Sequence, residues 1–415
     1  VEDQPENAAA EEDVEPAGPP PKPKGRPVAH DLPIPWVRVR SAASGHQLYK
    51  RMLGEVDPKA RPGDMVAVYD RNDAPYGVAL YNPRSLIALR MLTRGIGKFD
   101  ADAFFAERIG AAVEFRRGLL GLESITDAYR LVHDNGDGLP GLVIDRYGDC
   151  IVLEFYSLGM YKATARLERA LKVHYPTARF FHRASTHTQT MEGFDLKPNL
   201  GNGTRIKENG VSFNIDPSAG YKTGFFTDQR DNRMGIVPFA RGKKVLDVCS
   251  YTGGFALYAK KLGGADEVTA VELDPEAGEL LKKNANANQV RIDTVTADAF
   301  PYMRQAQQNN KRFGLMILDP YKLIASREGY SLGRTKYIDL NRLGISLMEP
   351  GGVLVTCSCS GMLPWEEFQQ FVRTAAGSAG RRVQIFRKSG AGADHPFTVD
   401  HPEGEYLKVL WCRVL

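Results

Sequence analysis

Val245 to Phe255 reads VLDVCSYTGGF. It is a short apolar run that ends in an acid and opens onto a glycine pair. The same rhythm continues for about 170 residues. EVTAVEL, IDTVTAD, LMILDP and GGVLVTCSC are near-continuous apolar runs, and GGFALYAKKLG, PEAGELLKKNANAN, FPYMRQAQQ and TKYIDLNRLGISLME between them read as helices. Strands that are apolar throughout are covered on both faces, so the alternation predicts an α/β fold with a doubly wound parallel sheet. RVQIFRKSG and YLKVLWCRV follow with only a loop between them, and are expected to close the sheet as a hairpin with an antiparallel strand.

The remainder of the chain is organised differently. With 415 residues it is too long for one ordinary core. Residues 1–34 are rich in Pro, Glu and Ala and are expected to be disordered. They carry eight acids and three bases, so a chain of net charge +4 has a body of +9. That balance is compatible with nucleic acid without demanding it. Residues 35–98 (WVRVR, DMVAVYD, YGVALYN, LIALRML) alternate and are punctuated by RPGD, RNDAP and NPRS, which predicts a small β-barrel. Residues 99–119 read as an amphipathic helical linker, 120–215 as a small α+β domain, and 216–415 as the α/β domain. No apolar run reaches the roughly 18 residues of a membrane span. Nothing reads as a secretory leader, and five unevenly spaced cysteines make a disulfide framework a poor reading. A reducing, cytoplasmic location is expected.

In such sheets ligands bind at the carboxyl ends of the strands. Gly253 and Gly254 open a helix where backbone can approach a ligand. Glu272, about 19 residues on, ends the second strand, where an acid takes a ribose diol. Asp298 ends the third strand, placed to accept from an adenine amine, and Asp319 ends the fourth. The G-x-G-x-x-G of a nicotinamide enzyme is absent from this first turn, and no GxxxxGK[ST] is present, which disfavours dinucleotides and nucleoside triphosphates here. Three strand-end acids without a diphosphate loop fit S-adenosylmethionine, a phosphate-free sulfonium. Its carboxylate needs donors, for which Gln229 and Arg230 in TDQRDNR are expected. Asp247 and Ser250 on the first strand's loop, and Ala299 beside Asp298, complete the expected cofactor set.

Cys357 and Cys359, two apart in GGVLVTCSCSG, should share one face near a strand end. Core residues, a metal clip and a nucleophile with its neighbour are the open readings. A zinc site with His395 and His401 is disfavoured, because no CxxC pair exists and each histidine precedes a proline in loop.

Taken together, DGLPGLVIDRYGD, GYKTGFFTDQRDNR, DVCSYTGGFA, LDPYK, TCSCSG and DHP…HPEGEYLK resemble the bacterial cytosine-C5 methyltransferases of large-subunit ribosomal RNA. The resemblance spans roughly residues 35–415. It implies a PUA-type barrel, a middle domain and a Rossmann-like methyltransferase domain. It further implies S-adenosylmethionine around Tyr251, Thr252, Gly253, Gly254, Glu272, Asp298 and Asp319, a base pocket beside Asp319, and a catalytic Cys359, with Cys357 as the alternative nucleophile. Family members read Asp-Pro-Pro-Lys where this chain has Asp319-Pro320-Tyr321-Lys322, so Tyr321 is placed to stack on a base, with Lys322 beside it. The implied chemistry is thiolate addition at cytosine C6, which turns C5 into the nucleophile that takes the methyl group. The expected partner is large-subunit ribosomal RNA, with no membrane and no metal; a homodimer is retained as an expected assembly. Arg38, Arg40, Lys50, Arg51, Arg84 and Arg90, interleaved with Trp36, Tyr49 and Tyr81, are the expected RNA contacts. A nitrogen methyltransferase and a non-catalytic RNA-binding relative are the alternatives.

Overall fold

Seven strands form the C-terminal sheet: β1 (Lys244–Val248), β2 (Glu267–Glu272), β3 (Asp293–Thr296), β4 (Phe313–Leu318), β5 (Met348–Ser358), β6 (Val383–Ser389) and β7 (Lys408–Val414). In the computed structural model, which describes residues 32–41, 45–95, 97–197, 203–217 and 224–415, their order is β3-β2-β1-β4-β5-β7-β6. The first five are parallel, and β7 runs antiparallel between β5 and β6. The fold is thus doubly wound and Rossmann-like, and the closing hairpin inserts its second strand into the sheet. The order reverses between β1 and β4, which opens a crevice at their carboxyl ends.

Both faces of this sheet are covered, as the apolar runs require. One face packs Leu246, Met316 and Leu354 under helices α3 (Ala299–Gln308), α4 (Tyr330–Ser346) and α5 (Trp365–Ser378), through Met303, Tyr337 and Phe368. The other packs Val245, Ile317, Val355, Cys357 and Trp411 under Ile236 of the helix Arg230–Ala240, Phe255 of α1 (Gly254–Lys261) and Leu281 of α2 (Pro275–Ala287).

Upstream, six strands between Trp36 and Arg94 form one sheet around a small core of Val37, Leu48, Val66, Ala79 and Leu89. The expected linker is more than a spacer. Asp100 caps the helix Ala101–Glu114, its carboxylate accepting from the Ala103 N–H at 2.8 Å. Phe104, Phe105 and Ile109 then pack against Val78 and Leu80 of the first sheet and Tyr129 and Leu131 of the next. One core therefore joins the two N-terminal units. The middle unit has a four-stranded sheet (Ala128–His133, Leu142–Tyr147, Cys150–Phe155, Arg179–Arg183). A hairpin follows, Thr204–Glu208 with Val211–Ile215, turned at Asn209-Gly210 with φ of 49° and 79°. Its Phe213 and Ile215 share a core with Leu257 and Tyr258 of α1. The acidic tail lies outside the described residues, except for its last three positions.

Candidate active site

The loop after β1, where the sequence places the cofactor, has an unusual backbone. Cys249, Tyr251 and Gly253 all have φ in the left-handed region, at 60°, 48° and 87°. Such conformations are costly for residues with a Cβ and persist where surrounding structure fixes them. Here Glu272, at the end of β2, provides the fixing. Its Oε2 accepts from the Tyr251 N–H at 2.7 Å and its Oε1 from the N–H groups of Leu273 and Asp274. Thr252 is buried, and its carbonyl accepts from Asn284 Nδ2 of α2 at 3.1 Å. Gly253 is required twice over, since a Cβ there would lie 2.7 Å from Leu281 Cγ.

Asp247 is fully buried, and its Oδ2 accepts from the Ala256 N–H at 2.9 Å. Burial pushes its carboxyl up to about 8, and the carboxylates of Asp319 and Glu272 add to that rise. Asp247 Oδ1 and Ser250 Oγ are buried with no hydrogen-bond partner among the described residues. Buried polar atoms are rarely left so. A ligand bearing a cation and hydrogen-bond donors would satisfy them, which fits S-adenosylmethionine. Asp298 caps α3 through the Phe300 N–H at 2.8 Å and is otherwise exposed, with Ala299 half-buried beside it.

At the end of β4, Asp319 Oδ2 accepts from Gln229 Nε2 at 3.0 Å, and Gln229 Oε1 accepts from Asn232. Gln229 is thus aimed into the crevice. Arg230, expected beside it as a carboxylate donor, faces another way. Its guanidinium is fully buried and grips Asp394 at 2.7 and 3.1 Å. Asp394 also accepts from the Arg130 backbone N–H (2.9 Å) and from His395. Arg230 is thus neutralised by Asp394, which is itself the tie to Arg130 of the middle sheet, and the adjacency of Gln229 and Arg230 in sequence conceals different side-chain directions.

The cysteine pair divides. Both side chains lie on the same face, in the core under α1. Cys357 is fully buried within β5, and burial, with Asp319 adding to it, holds its thiol well above the usual range. Cys359 lies just past the strand end, half-buried, its Sγ 3.9 Å from the Pro320 carbonyl. The next residues, Tyr321 (66% exposed) and Lys322, face solvent. Sequence reasoning missed what fixes Cys359. The buried Tyr337 hydroxyl lies 2.9 Å from Ser358 Oγ and 3.1 Å from Ser360 Oγ, and Ser360 Oγ accepts from the Ile324 N–H at 3.2 Å. One hydroxyl on α4 therefore holds both residues flanking the cysteine, and Ser360 joins them to the loop that carries Pro320 and Tyr321. His395 and His401 turn to Asp394 and Glu403.

Two family models match this chain, the PUA-like domain over residues 38–94 and the TRM5/TYW2 methyltransferase domain over residues 204–313. Ribosomal RNA large subunit methyltransferase I of Pseudoalteromonas atlantica is 36% identical over 361 residues, which cover 85% of this chain and 91% of that one. Its counterpart from Photobacterium profundum is 35% identical over 365 residues, covering 86% and 91%. The chain belongs to the ribosomal RNA large subunit methyltransferase I family. Among solved structures, SMU.776, described as a methyltransferase and complexed with SAH, superposes with a TM-score of 0.75 at 22% identity, covering 89% of this chain and 96% of that chain, a likeness of fold.

Within this family member the expected RNA contacts also separate. Trp36, Tyr81 and Arg90 are buried, Arg90 against Glu192 at 3.4 Å. Arg38 is held by Glu55 and by Asp73. Arg40, Lys50, Arg51 and Arg84 remain exposed, and Tyr49 (46% exposed) stands beside them with Leu86 (69%). Leu86 was not foreseen, because an apolar residue in a strand pattern reads as core until its turn is placed.

Proposed function

We propose that this protein is an S-adenosylmethionine-dependent methyltransferase that forms 5-methylcytosine in large-subunit ribosomal RNA, working in the cytoplasm through a covalent adduct of Cys359. The observation that carries this reading is the half-buried Cys359 thiol at the end of β5, against the Asp319–Pro320 end of β4. A nitrogen methyltransferase needs no such thiol. The names of the relatives supply the substrate class.

When bound, S-adenosylmethionine supplies an electrophilic methyl group. Tyr251, Thr252, Gly253 and Gly254 shape the loop against which it lies, Glu272 and Asp298 take its ribose and adenine, and Gln229, Asp247 and Ser250 meet its methionine end. The Cys359 thiolate adds to C6 of a cytosine that is unpaired or flipped out of its helix. The C5–C6 π electrons then make C5 the nucleophile. Asp319, carrying a proton in the complex, donates it in a hydrogen bond to N3 and so offsets the negative charge that develops there. After methyl transfer a base takes the C5 proton, the sulfur–C6 bond breaks, and Cys359 returns as thiolate. Tyr321 stacks on the base or its neighbour, and Lys322 and the exposed cations of the barrel hold phosphates.

RNA containing 5-azacytidine tests the chemistry. The wild type should form a denaturant-stable adduct whose cross-linked peptide contains Cys359. Turnover on ordinary RNA with no adduct would transfer the assignment to a base nitrogen. Mass spectrometry of ribosomal RNA from a strain lacking the protein should show one lost 5-methylcytosine.

A further inference from the structure

The DHP…HPEGEYLK motif takes no part in the chemistry above, yet it forms one structural unit. Residues 392–406 leave the sheet after β6 and return just before β7 as a strap. Both feet of the strap rest on Asp228, beside Gln229 at the crevice. The Gly392 N–H donates to the Asp228 carbonyl at 2.9 Å, and the Tyr406 hydroxyl donates to its carboxylate at 2.6 Å. A loop closed in this way is an Ω-loop, a form that frequently carries function.

The strap touches every unit of the fold. Its Asp394 accepts from the Arg230 guanidinium and from the Arg130 N–H. The Pro396 carbonyl lies against Gly136 of the middle unit, where no Cβ would fit. Asp400 meets His46 of the barrel at 3.0 Å, one residue before the strand Gln47–Tyr49. The exposed Tyr49, Lys50 and Arg51 end that strand and follow it. The strap therefore spans the two places where RNA is expected, the crevice and the exposed edge of the barrel.

Its tip carries apolar side chains that pack on no core. Val399 is 99% exposed and Phe397 is 47% exposed. Single exposed apolar residues are ordinary, but here two stand within three positions on a backbone that is held. The His401 N–H donates to the Thr398 carbonyl at 2.9 Å, and Phe397 is seated on Gly404, where a Cβ would lie 2.5 Å from its own. Gly404 is two residues from Tyr406, roughly 7 Å of chain, and Tyr406 packs on the same core as Cys359. Phe397 thus stands exposed at the rim of the crevice.

A base inside paired RNA has to leave its stack to be methylated. The gap it leaves is refilled by an apolar or aromatic side chain, and RNA bases stack on such rings. Two side chains are too few for a stable protein partner, which covers about 800 Å² on each side. They match the gap between two bases.

We propose that Phe397, with Val399 beside it, is a wedge that enters the RNA stack where the target base has flipped out. It is a positioning residue, which keeps the base in the crevice and touches no reacting atom. The proposal rests on a base being the methylated group, and not on carbon 5 or on Cys359. The test uses the full-length protein and a ribosomal RNA fragment spanning the methylated nucleotide. The fragment is offered single-stranded or annealed to its complement, and transfer of a labelled methyl group from S-adenosylmethionine is followed in a single turnover. The wild type should act on both forms. Phe397→Ser combined with Val399→Ser should slow transfer to the annealed form by at least about tenfold, the worth of one base–aromatic stack. The single strand should stay within about twofold, with S-adenosylmethionine affinity unchanged. Phe397→Leu keeps an apolar wedge and should retain most of the wild-type rate on annealed RNA. With S-adenosylhomocysteine bound, 2-aminopurine next to the target should brighten in annealed RNA with the wild type and not with the double variant. If the double variant loses S-adenosylmethionine binding, Phe397→Ser alone is read in its place. Equal slowing on both forms, no slowing, or a wild type inert on annealed RNA overturns the wedge. A loss confined to assembled ribosomal particles would make the tip a protein contact and overturn it too. Absence of a 5-azacytidine adduct would sink the C5 chemistry and leave this comparison standing, because the label reports transfer to any atom of the base.

Discussion

The barrel and the methyltransferase crevice both carry conspicuous polar residues, and they use them in opposite ways. In the barrel, Arg38 and Arg90 are matched to Glu55, Asp73 and Glu192, so much of its charge is already satisfied. In the crevice, Asp247 Oδ1 and Ser250 Oγ are buried with no partner among the described residues. Unsatisfied buried groups cost stability, and the fold retains them where a ligand completes them. Polar groups that are paired serve the scaffold, and those buried without a partner mark the site.

The largest effect is expected at the sulfur. Cys359→Ala should reduce methyl transfer by at least about 10³-fold while S-adenosylmethionine affinity, read by calorimetry, stays within about twofold. Cys357→Ala should retain turnover and lose stability as a buried small hydrophobe would. The reverse pattern would exchange the two roles.

Next in size is the interdomain tie. Asp394→Ala strands the buried Arg230 guanidinium and should cost about 3–5 kcal/mol in urea unfolding. Little loss of stability together with a large loss of cofactor affinity would return Arg230 to the cofactor site.

Asp247 gives an effect that depends on pH. Its carboxyl is near 8 in the folded protein, against about 4 in an unfolded chain. The folded state therefore holds a proton that the unfolded state releases. The contribution is fully present below about pH 4 and is lost as pH rises through about 8. Asp247→Asn should flatten this decline in unfolding free energy. Binding of the cationic cofactor near pH 7 should release up to about one proton, measured by calorimetry in buffers of different ionisation enthalpy, and the Asn variant should release none.

The smallest effects belong to the barrel surface. Lys50→Ala and Arg51→Ala should each weaken RNA binding and lower the log–log salt slope by about 0.7–0.9, with stability changed by less than about 0.5 kcal/mol. Arg90→Ala should do the opposite, lowering stability and leaving the salt slope unchanged.

What the sequence determined by itself was the periodic and local part. The strand–helix rhythm fixed a doubly wound sheet, because strands apolar on both faces leave no other architecture. Glu272 and Gly253 were legible because their constraints are local, a strand-end acid facing a loop and a left-handed backbone without room for a Cβ. The same-face placement of Cys357 and Cys359 followed from the period of a strand. The tertiary structure decided which polar groups were already taken. Arg230 and Asp394 are 164 residues apart, and Arg90 and Glu192 are 102 apart; no local pattern records either pairing. The strand end separates a buried Cys357 from a half-buried Cys359, and only the packing of β5 beside β4 and β7 brings Pro320, Tyr337 and Lys408 to that end. Desolvation and pairing depend on what surrounds a group from every side, and a sequence specifies only the neighbours along the chain.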